Sequence, residues 1–283
     1  MKKPKWIVVT HGGAGSSKKV LDAVTLAART GMRMLRKKNS ALDAVEEAVV
    51  VMEDDPRFNA GTGSVFRIDG TIEMDASLMD SEFHCGAVAT IKGVRNPIRV
   101  ARKVLESPHI LLAGSGATEF ARRMGFTYHS PVTRRALRRL SRVQGWLRSG
   151  RLPKYAHKWK SYSLDTVGAV AMDSRGIFAT SSSTGGTSIA LPGRVGDTPL
   201  IGCGIYAGPC GAVSVTGVGE AIIRQVLSKS VYDKLVAGRS ASEACKWGIS
   251  LYDPSIPMGI IVVNADSGAG ASNTGMPVCI LAR

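Results

Sequence analysis

Asp165 and Thr166 open an apolar segment, LDTVGAVAMD, that is followed by a segment rich in hydroxyl groups. The small and β-branched residues after Thr166 predict a buried strand that ends in the turn Asp173–Gly176. The next segment, GIFATSSSTGG, is predicted to be the neighbouring strand. A threonine at the start of a strand usually does no more than favour the strand. This threonine, however, follows a long polar segment of the kind that is open to cleavage.

A threonine hydroxyl can attack the carbonyl carbon of the residue before it, which here is Asp165. The peptide bond then becomes an ester, which water cleaves to leave Thr166 as a new N-terminus. The free α-amine, with an ordinary pKa of about 7.7–8.0, can act as the base for its own hydroxyl. A long polar segment followed by Asp165-Thr166 is therefore compatible with an N-terminal nucleophile released by autocleavage.

Composition narrows the class of protein. The chain has 283 residues and a mean hydropathy of +0.05, as expected for a globular protein with a large core. The N-terminal apolar run, WIVV, is too short for a secretion signal, so the cytoplasm is expected. Five scattered cysteines without C-x-x-C, and histidines without H-E-x-x-H, predict neither a disulfide framework nor a zinc site.

The net charge of +15 is concentrated in one segment. Residues 128–160 contain ten Lys and Arg and no acidic residue, so we expect a surface linker over about 128–164 with some helix in TRRALRRLSRV. A hypothesis of another class is binding of nucleic acid or an anionic surface, with Trp146, Tyr155 and Trp159 available for stacking. Charge runs are more often solvated linkers, so no nucleic-acid or membrane partner is expected for the main activity.

The remaining segments predict helices in pairs and strands in hairpins. Helices are expected near 18–38, from Ser40 onwards, over NPIRVARKVLES, from about 220 to 237, and around 243–249. Strands are expected in KWIVVT, on both sides of Asp69–Gly70, and in CGAVATIKGV, GAVSVTG, MGIIVVN and PVCILAR. This grouping predicts an α+β fold, a four-layer αββα sandwich of antiparallel sheets between helix layers.

Several motifs follow one another in order along nearly the whole chain: HGGAG at 11–15, DDPRFNAGTGSVF, EMDASLMD, TVGAVAMD, STGG at 183–186, LPGRVGDTPLIGCG and TGVGE at 216–220. In this order they resemble the plant-type L-asparaginase and isoaspartyl peptidase family of N-terminal nucleophile hydrolases. The resemblance implies a single domain over residues 1–283, cleaved into 1–165 and 166–283. It also implies a small-molecule substrate, either asparagine or an isoaspartyl dipeptide.

The resemblance assigns roles to individual residues. The implied catalytic residues are Thr166 as nucleophile, Thr184 beside it, Thr216 and Gly217 as the oxyanion hole, and Asn59 as support. Arg194, Asp197 and Gly219 would bind the substrate, Arg194 through its α-carboxylate and Asp197 through its α-ammonium. Gly13 would let the backbone pass close to the Asp165–Thr166 cleavage site. Taken without the resemblance, Arg194 and Asp197 could be a loop salt bridge, and TGVGE could be a helix start.

The resemblance also implies a structural sodium ion, no other cofactor, and a homodimer of cleaved protomers. The sodium would be held by backbone carbonyls of Met52, Glu53, Asp55, Phe58, Ala60 and Thr62. Asp165 departs from the glycine that many members carry at this position, and matches the glycosylasparaginase and taspase branches of the superfamily. Asp197 favours small substrates with a free α-amine over the protein substrates of taspase-like endopeptidases. A glycosylasparaginase-like hydrolase, which would bind the same head group, or a taspase-like hydrolase of the same superfamily is kept as the alternative.

Overall fold

The computed structural model of the protein describes residues 5–149, 166–188 and 190–283. Asp165 and the later part of the basic linker, 150–164, lie outside these residues. The described strands are β1 Ile7–His11, β2 Met74–Asp80, β3 Cys85–Ile91, β4 Leu111–Ala113, β5 Val167–Met172, β6 Phe178–Thr184, β7 Ile205–Gly208, β8 Gly211–Gly217, β9 Met258–Val263, β10 Gly268–Ser272 and β11 Val278–Ala282. The described α-helices are α1 Leu21–Arg36, α2 Ala41–Asp54, α3 Pro97–Leu105, α4 Gly114–Arg123, α5 Arg134–Arg148, α6 Gly219–Gln225, α7 Leu227–Val236 and α8 Ala241–Ser250.

The strands form two sheets. The larger sheet has the order β11-β1-β5-β6-β2-β3-β4, and the smaller has the order β10-β9-β8-β7. Neighbouring strands are antiparallel, except that β4 pairs with β3 in parallel at one edge. The short strand β4 and the helix α4 that follows it were not predicted from the sequence.

Successive side chains along each strand face opposite sides of the sheet, and this alternation determines how the layers pack. In β1, Val8 packs with α1 and α2, while Ile7 and Val9 pack against the smaller sheet. In β9, Ile261 faces the larger sheet and Ile260 faces α7 and α8. Helices therefore cover the outer face of each sheet, and the two sheets pack against each other. The predicted αββα sandwich is confirmed.

Local signals place the first two helices well. The helix predicted near 18–38 is α1, preceded by a short 3₁₀ turn at Lys18–Val20. The helix predicted from Ser40 is α2, where Ser40 and Asp43 form a reciprocal capping box that satisfies backbone N–H groups at the helix start. The helix predicted in the basic linker is α5.

Two local predictions are wrong. Asp69–Gly70 does form a tight turn, because the Asp69 carboxylate accepts hydrogen bonds from Thr71, but only β2 follows it as a strand. Before the turn, the Ile68 N–H donates to the Ala190 carbonyl instead of to a hairpin partner. The single helix expected over 220–237 is two helices, α6 and α7, because Val226 between them has a left-handed backbone conformation with φ 45°.

In the part of the chain that the structure describes, none of the helices combines the length and the apolar character needed to cross a membrane. All five cysteines are free thiols.

Candidate active site

Thr166 lies directly before β5, in the middle of the larger sheet. Val167 pairs with Ser183 of β6, so the next pair outward brings Thr166 opposite Thr184. The Thr166 hydroxyl donates to Thr184 Oγ1 at 3.3 Å, and the Gly186 N–H donates to the same oxygen at 3.1 Å. Both threonines are buried, with 6% and 4% of their surface exposed. The predicted pairing of Thr166 with Thr184 is therefore present in the fold.

His11, at the end of β1, packs beside the start of β5. Its Nδ1 accepts the Gly13 N–H at 3.2 Å, and its Nε2 lies 3.4 Å from Ser214 Oγ. Burial lowers the pKa of His11 to about 3, opposed by a hydrogen bond to the Thr166 backbone. Gly168 allows this packing, because a Cβ there would lie 2.4 Å from His11 Nε2. The imidazole is thus neutral and holds the Thr166 backbone in place.

The second sheet contributes the end of β8. Gly217 lines the same small pocket as Thr166, and Thr216 is fully buried next to it. The Ala14 N–H, in the HGGAG turn, donates to Thr216 Oγ1 at 3.2 Å. Gly13 in this turn has φ 99°, a conformation that favours glycine. The turn therefore ties β1, from one sheet, to the oxyanion-hole candidates at the end of β8, in the other.

The pocket joins the two sheets to the loop after β6. Its lining residues are Thr166, Thr184, Gly186, Thr187, Arg194, Gly196, Asp197, Thr198, Gly217 and Gly219. It therefore contains the nucleophile candidate together with both charged residues predicted to bind the substrate.

Arg194 and Asp197 do not pair with each other as the alternative from sequence suggested. Arg194 donates from Nε and Nη2 to the two carboxylate oxygens of Glu220, at 3.0 Å each. Asp197 is buried, and its Oδ2 has no hydrogen-bond partner among the described residues. Burial raises the pKa of Asp197 to about 7, opposed by the positive charge of Arg194. Gly219 lies against both groups, since a Cβ there would come within 2.7 Å of Arg194 Nη2 and 3.0 Å of Asp197 Oδ1.

A cluster of buried charged residues that the sequence analysis missed contacts the Arg194 backbone. Arg67 is completely buried, donates from Nη2 to the Arg194 carbonyl at 3.1 Å, and lies 3.4 Å from Glu73. Asp75 is also buried and accepts the Thr90 N–H at 2.7 Å, and its burial raises its pKa. The sequence carried little signal for this cluster, because Arg67 stands in a segment that resembled a strand on the way to a hairpin.

Asn59 joins the loop after α2 to the loop after β6. Its Nδ2 donates to the Gly186 carbonyl at 2.6 Å, its Oδ1 accepts the Val65 N–H at 3.0 Å, and its own carbonyl accepts the Gly185 N–H at 2.8 Å. Asn59 therefore shapes the backbone that holds Thr184. This agrees with the supporting role predicted for it.

The loop that contains the sodium candidates closes on itself through backbone carbonyls. A Cβ on Gly61 would meet the Glu53 carbonyl oxygen at 2.4 Å, and one on Gly63 would meet the Phe58 carbonyl oxygen at 1.8 Å. The Glu53 side chain is buried and accepts from Ser183 Oγ at 2.6 Å, while its Oε2 is without a hydrogen-bond partner among the described residues. Backbone carbonyl oxygens are ligands that a hard cation can take, and sodium binding at this loop stays a prediction.

A threonine at the start of a central strand, a hydroxyl beside it and an oxyanion-hole candidate from a second sheet, within an αββα sandwich, define an N-terminal nucleophile hydrolase. The profile of the family described as asparaginase matches residues 4–281. The chain therefore belongs to the asparaginase family, and it is a hydrolase.

Individual relatives agree with this assignment. The chain is 45% identical to a plant-type L-asparaginase of Pyrococcus horikoshii, over 94% of this chain and 93% of the relative. It is 40% identical to an isoaspartyl peptidase/L-asparaginase of Danio rerio, over 94% of this chain and 88% of the relative. It is also 40% identical to the Bos taurus protein of the same name, over 91% of this chain and 86% of the relative.

Proposed function

We propose that the chain hydrolyses L-asparagine and peptides with an N-terminal isoaspartyl residue, through an acyl-enzyme on Thr166. The observation that carries this proposal is the position of the Thr166 hydroxyl, which shares one pocket with Arg194 and Asp197. A nucleophile beside a cation and an anion suits a substrate with an amino-acid head group and an amide on its side chain. The names of the relatives point to the same two substrates.

Cleavage before Thr166 is the first step. The Thr166 hydroxyl attacks the carbonyl carbon of Asp165, the acyl group moves from nitrogen to oxygen, and water hydrolyses the ester. Asp165 keeps a new carboxylate and Thr166 gains a free α-amine. His11 supports this step by holding the Thr166 backbone as a neutral group, so it does not compete with the new amine as a base.

In turnover, the α-amine takes the proton of the Thr166 hydroxyl, and Oγ1 attacks the side-chain carbonyl of the substrate. Gly217 N–H and the Thr216 hydroxyl stabilise the oxyanion. The amine returns the proton to the leaving group, which departs as ammonia or as the amine of a peptide. Water then attacks the ester, aspartate is released, and the hydroxyl is regenerated. Thr184 accepts from the Thr166 hydroxyl and orients it for each attack.

Arg194 binds the substrate α-carboxylate, and Asp197 binds the α-ammonium. The Arg194 fork already holds one carboxylate, that of Glu220, in bidentate geometry. The substrate α-carboxylate would replace the Glu220 carboxylate on Arg194. Gly219 leaves the room for the head group that a larger residue would fill.

Enzymes of this family generally need no cofactor. We propose that a structural sodium ion is bound by the carbonyls of Met52, Glu53, Asp55, Phe58, Ala60 and Thr62. Its contribution would be to fix the loop that carries Asn59. A homodimer of cleaved protomers and a cytoplasmic location complete the proposal, and the free thiols suit a reducing compartment.

The deciding experiment combines intact mass with a substrate panel. Purified protein is incubated at neutral pH and its mass followed until two fragments, 1–165 and 166–283, account for the chain. The cleaved protein is then assayed on L-asparagine, a β-aspartyl dipeptide and an N-glycosylated asparagine. Turnover of the first two supports the proposal, whereas turnover of the glycosylated substrate alone would favour the glycosylasparaginase-like alternative. Cleaved protein that acts on none of them would contradict the proposed activity.

A further inference from the structure

A second pocket lies at the opposite end of the larger sheet from Thr166. It has a volume of about 480 Å³ and is lined by Arg29, Met32, Arg33, Arg36, Leu281 and Arg283. We call it the basic pocket. Three of its arginines come from α1, at spacings of four and three residues, so they share one face of that helix. Met32 is buried between them and, with Leu281, gives the pocket an apolar wall.

The arginines of the basic pocket differ from nine others in the described part of the chain. Those nine make ion pairs with acidic side chains: Arg57, Arg67, Arg95, Arg99, Arg102, Arg123, Arg175, Arg194 and Arg239. Among the described residues, none of the ion pairs with a carboxylate side chain involves Arg29, Arg33, Arg36 or Arg283. The backbone oxygen of Arg283 accepts hydrogen bonds from the N–H groups of Lys5 and Trp6.

This arrangement costs stability. Like charges three and four residues apart on a helix repel each other. Arg33 and Arg36 gain a little from the C-terminal end of the helix dipole, but Arg29 lies too far from that end to do so. An anion in the pocket would remove the repulsion among all of them.

The basic pocket is separate from the candidate active site. Ile7 pairs with Ala282 at one end of β1, and His11, at the other end, contacts the Thr166 backbone. Four residue steps along a strand span about 13 Å, so a ligand in the basic pocket would not touch the nucleophile.

We propose that the basic pocket binds a small organic polyphosphate of the nucleoside di- or triphosphate class. Guanidinium groups bind phosphate oxygens in pairs through parallel N–H donors. Several such groups around one concavity suit two or three linked phosphates, and the apolar wall of Met32 and Leu281 suits the base. The concave shape favours a small molecule over a nucleic-acid strand, for which the open outer face of α5 would be the better surface.

The test is calorimetric titration of the full protein with ADP at low salt, and with inorganic pyrophosphate as the probe without a base. A variant with Arg29→Gln, Arg33→Gln and Arg36→Gln should bind ADP at least about tenfold more weakly. A matched variant with Arg134→Gln, Arg138→Gln and Arg142→Gln removes the same charge from α5 and should bind as the wild type does. Pyrophosphate should bind the wild type more weakly than ADP does, because it cannot use the apolar wall.

Absence of ADP binding at low salt, or equal loss of binding in the two triple variants, would overturn the proposal. Tighter binding of a DNA oligonucleotide than of ADP would also overturn the proposal, if the α1 and α5 triple variants weakened the DNA binding equally. Circular dichroism should show both variants folded, because each loses repulsive surface charge. Hydrolysis by Thr166 should be unchanged in both, so a failure of this proposal is distinguishable from a failure of the proposed function.

Discussion

Arg194 and Glu220 form a bidentate ion pair at the edge of the candidate active site, with both N–H···O distances at 3.0 Å. The Arg194 side chain is 17% exposed and that of Glu220 is 56% exposed. The partly buried fork is therefore fixed, while its partner can move into solvent. In the proposed binding mode, Glu220 occupies the place of the substrate α-carboxylate, so the substrate would displace it.

Glu220→Gln should therefore lower the KM for asparagine about threefold, a modest effect because an exposed ion pair is weakened by solvent. Arg194→Lys should raise KM about tenfold or more, since one ammonium cannot make two parallel bonds to a carboxylate. Steady-state kinetics on cleaved protein measures both. Glu106→Gln, which removes a charge from the exposed pair with Lys103, is the control and should change nothing. A KM that rises in Glu220→Gln would contradict the displacement.

Thr166→Ala should leave the chain at full length and without activity, because both reactions need the same hydroxyl. Thr166→Ser keeps a hydroxyl and should still be cleaved, more slowly. Intact-mass spectra over several days at neutral pH follow the cleavage. Fragments from the alanine variant that divide between Asp165 and Thr166 would disprove the autocatalytic mechanism.

The pH dependence of substrate binding should follow Asp197. Burial raises its pKa to about 7, so the carboxylate that we propose binds the substrate ammonium is lost as pH falls below that value. KM should therefore rise as the pH is lowered from 8 to 6. The free energy of unfolding should increase as the pH is lowered, although substrate binding weakens. Between pH 4 and 7 the folded state keeps a proton on Asp197 that the unfolded state has lost. Unfolding therefore becomes easier as the pH rises through this range.

Asp197→Asn provides the comparison. It should bind substrate poorly at every pH, and its KM should not rise as the pH is lowered from 8 to 6, while kcat still follows the Thr166 α-amine. Its melting temperature should also fall less than that of the wild type as the pH rises from 4 to 7. A KM that still rises between pH 8 and 6 in Asp197→Asn would assign the dependence to another group.

Gly219→Ala should raise KM about tenfold with little effect on stability. The added methyl group would lie 2.7 Å from Arg194 Nη2 and 3.0 Å from Asp197 Oδ1, so both side chains would have to shift. Gly116→Ala in α4, where a Cβ meets nothing within 4 Å, is the matched control. Kinetics and thermal melting of the two variants separate a site effect from a general one. Equal KM values would show that Gly219 does not face the substrate.

Val226→Gly should stabilise the protein by about 1 kcal/mol. Val226 is a β-branched residue with φ 45°, a conformation that costs a non-glycine residue roughly 1–2 kcal/mol. It is also 46% exposed, so little packing is lost with the side chain. Chemical denaturation measures the change. A loss of stability would mean that the valine side chain holds α6 against α7.

The roles of the site residues came from the resemblance to the family, and the fold brings Thr166, Thr184, Gly217, Arg194 and Asp197 around one pocket. The pairing of Thr166 with Thr184 followed from two adjacent strands, and the helix start at Ser40 followed from its capping residues. Both signals are local. The αββα layering followed from the order of the elements.

The rest depended on contacts between distant segments. The Arg194–Glu220 pair joins residues 26 positions apart. Only the fold shows that Arg194 forms its ion pair with Glu220 and not with Asp197, which is nearer in sequence. Arg67 stands in a segment predicted to be a strand, and that pattern did not indicate that the loop after β6 covers its side chain. The break at Val226 had no glycine or proline to mark it. Binding of a polyanion by residues 128–160 stays a prediction, and the part beyond 149 lies outside the described residues.

The strand order of the larger sheet determines how the two fragments stay associated after cleavage before Thr166. From one edge to the other, the strands would belong alternately to the two fragments: β11 to the second, β1 to the first, β5 and β6 to the second, and β2, β3 and β4 to the first. Each fragment would thus complete the other's hydrogen-bond ladder. The two chains would melt in one transition and copurify without any covalent link, and neither would be expected to refold alone.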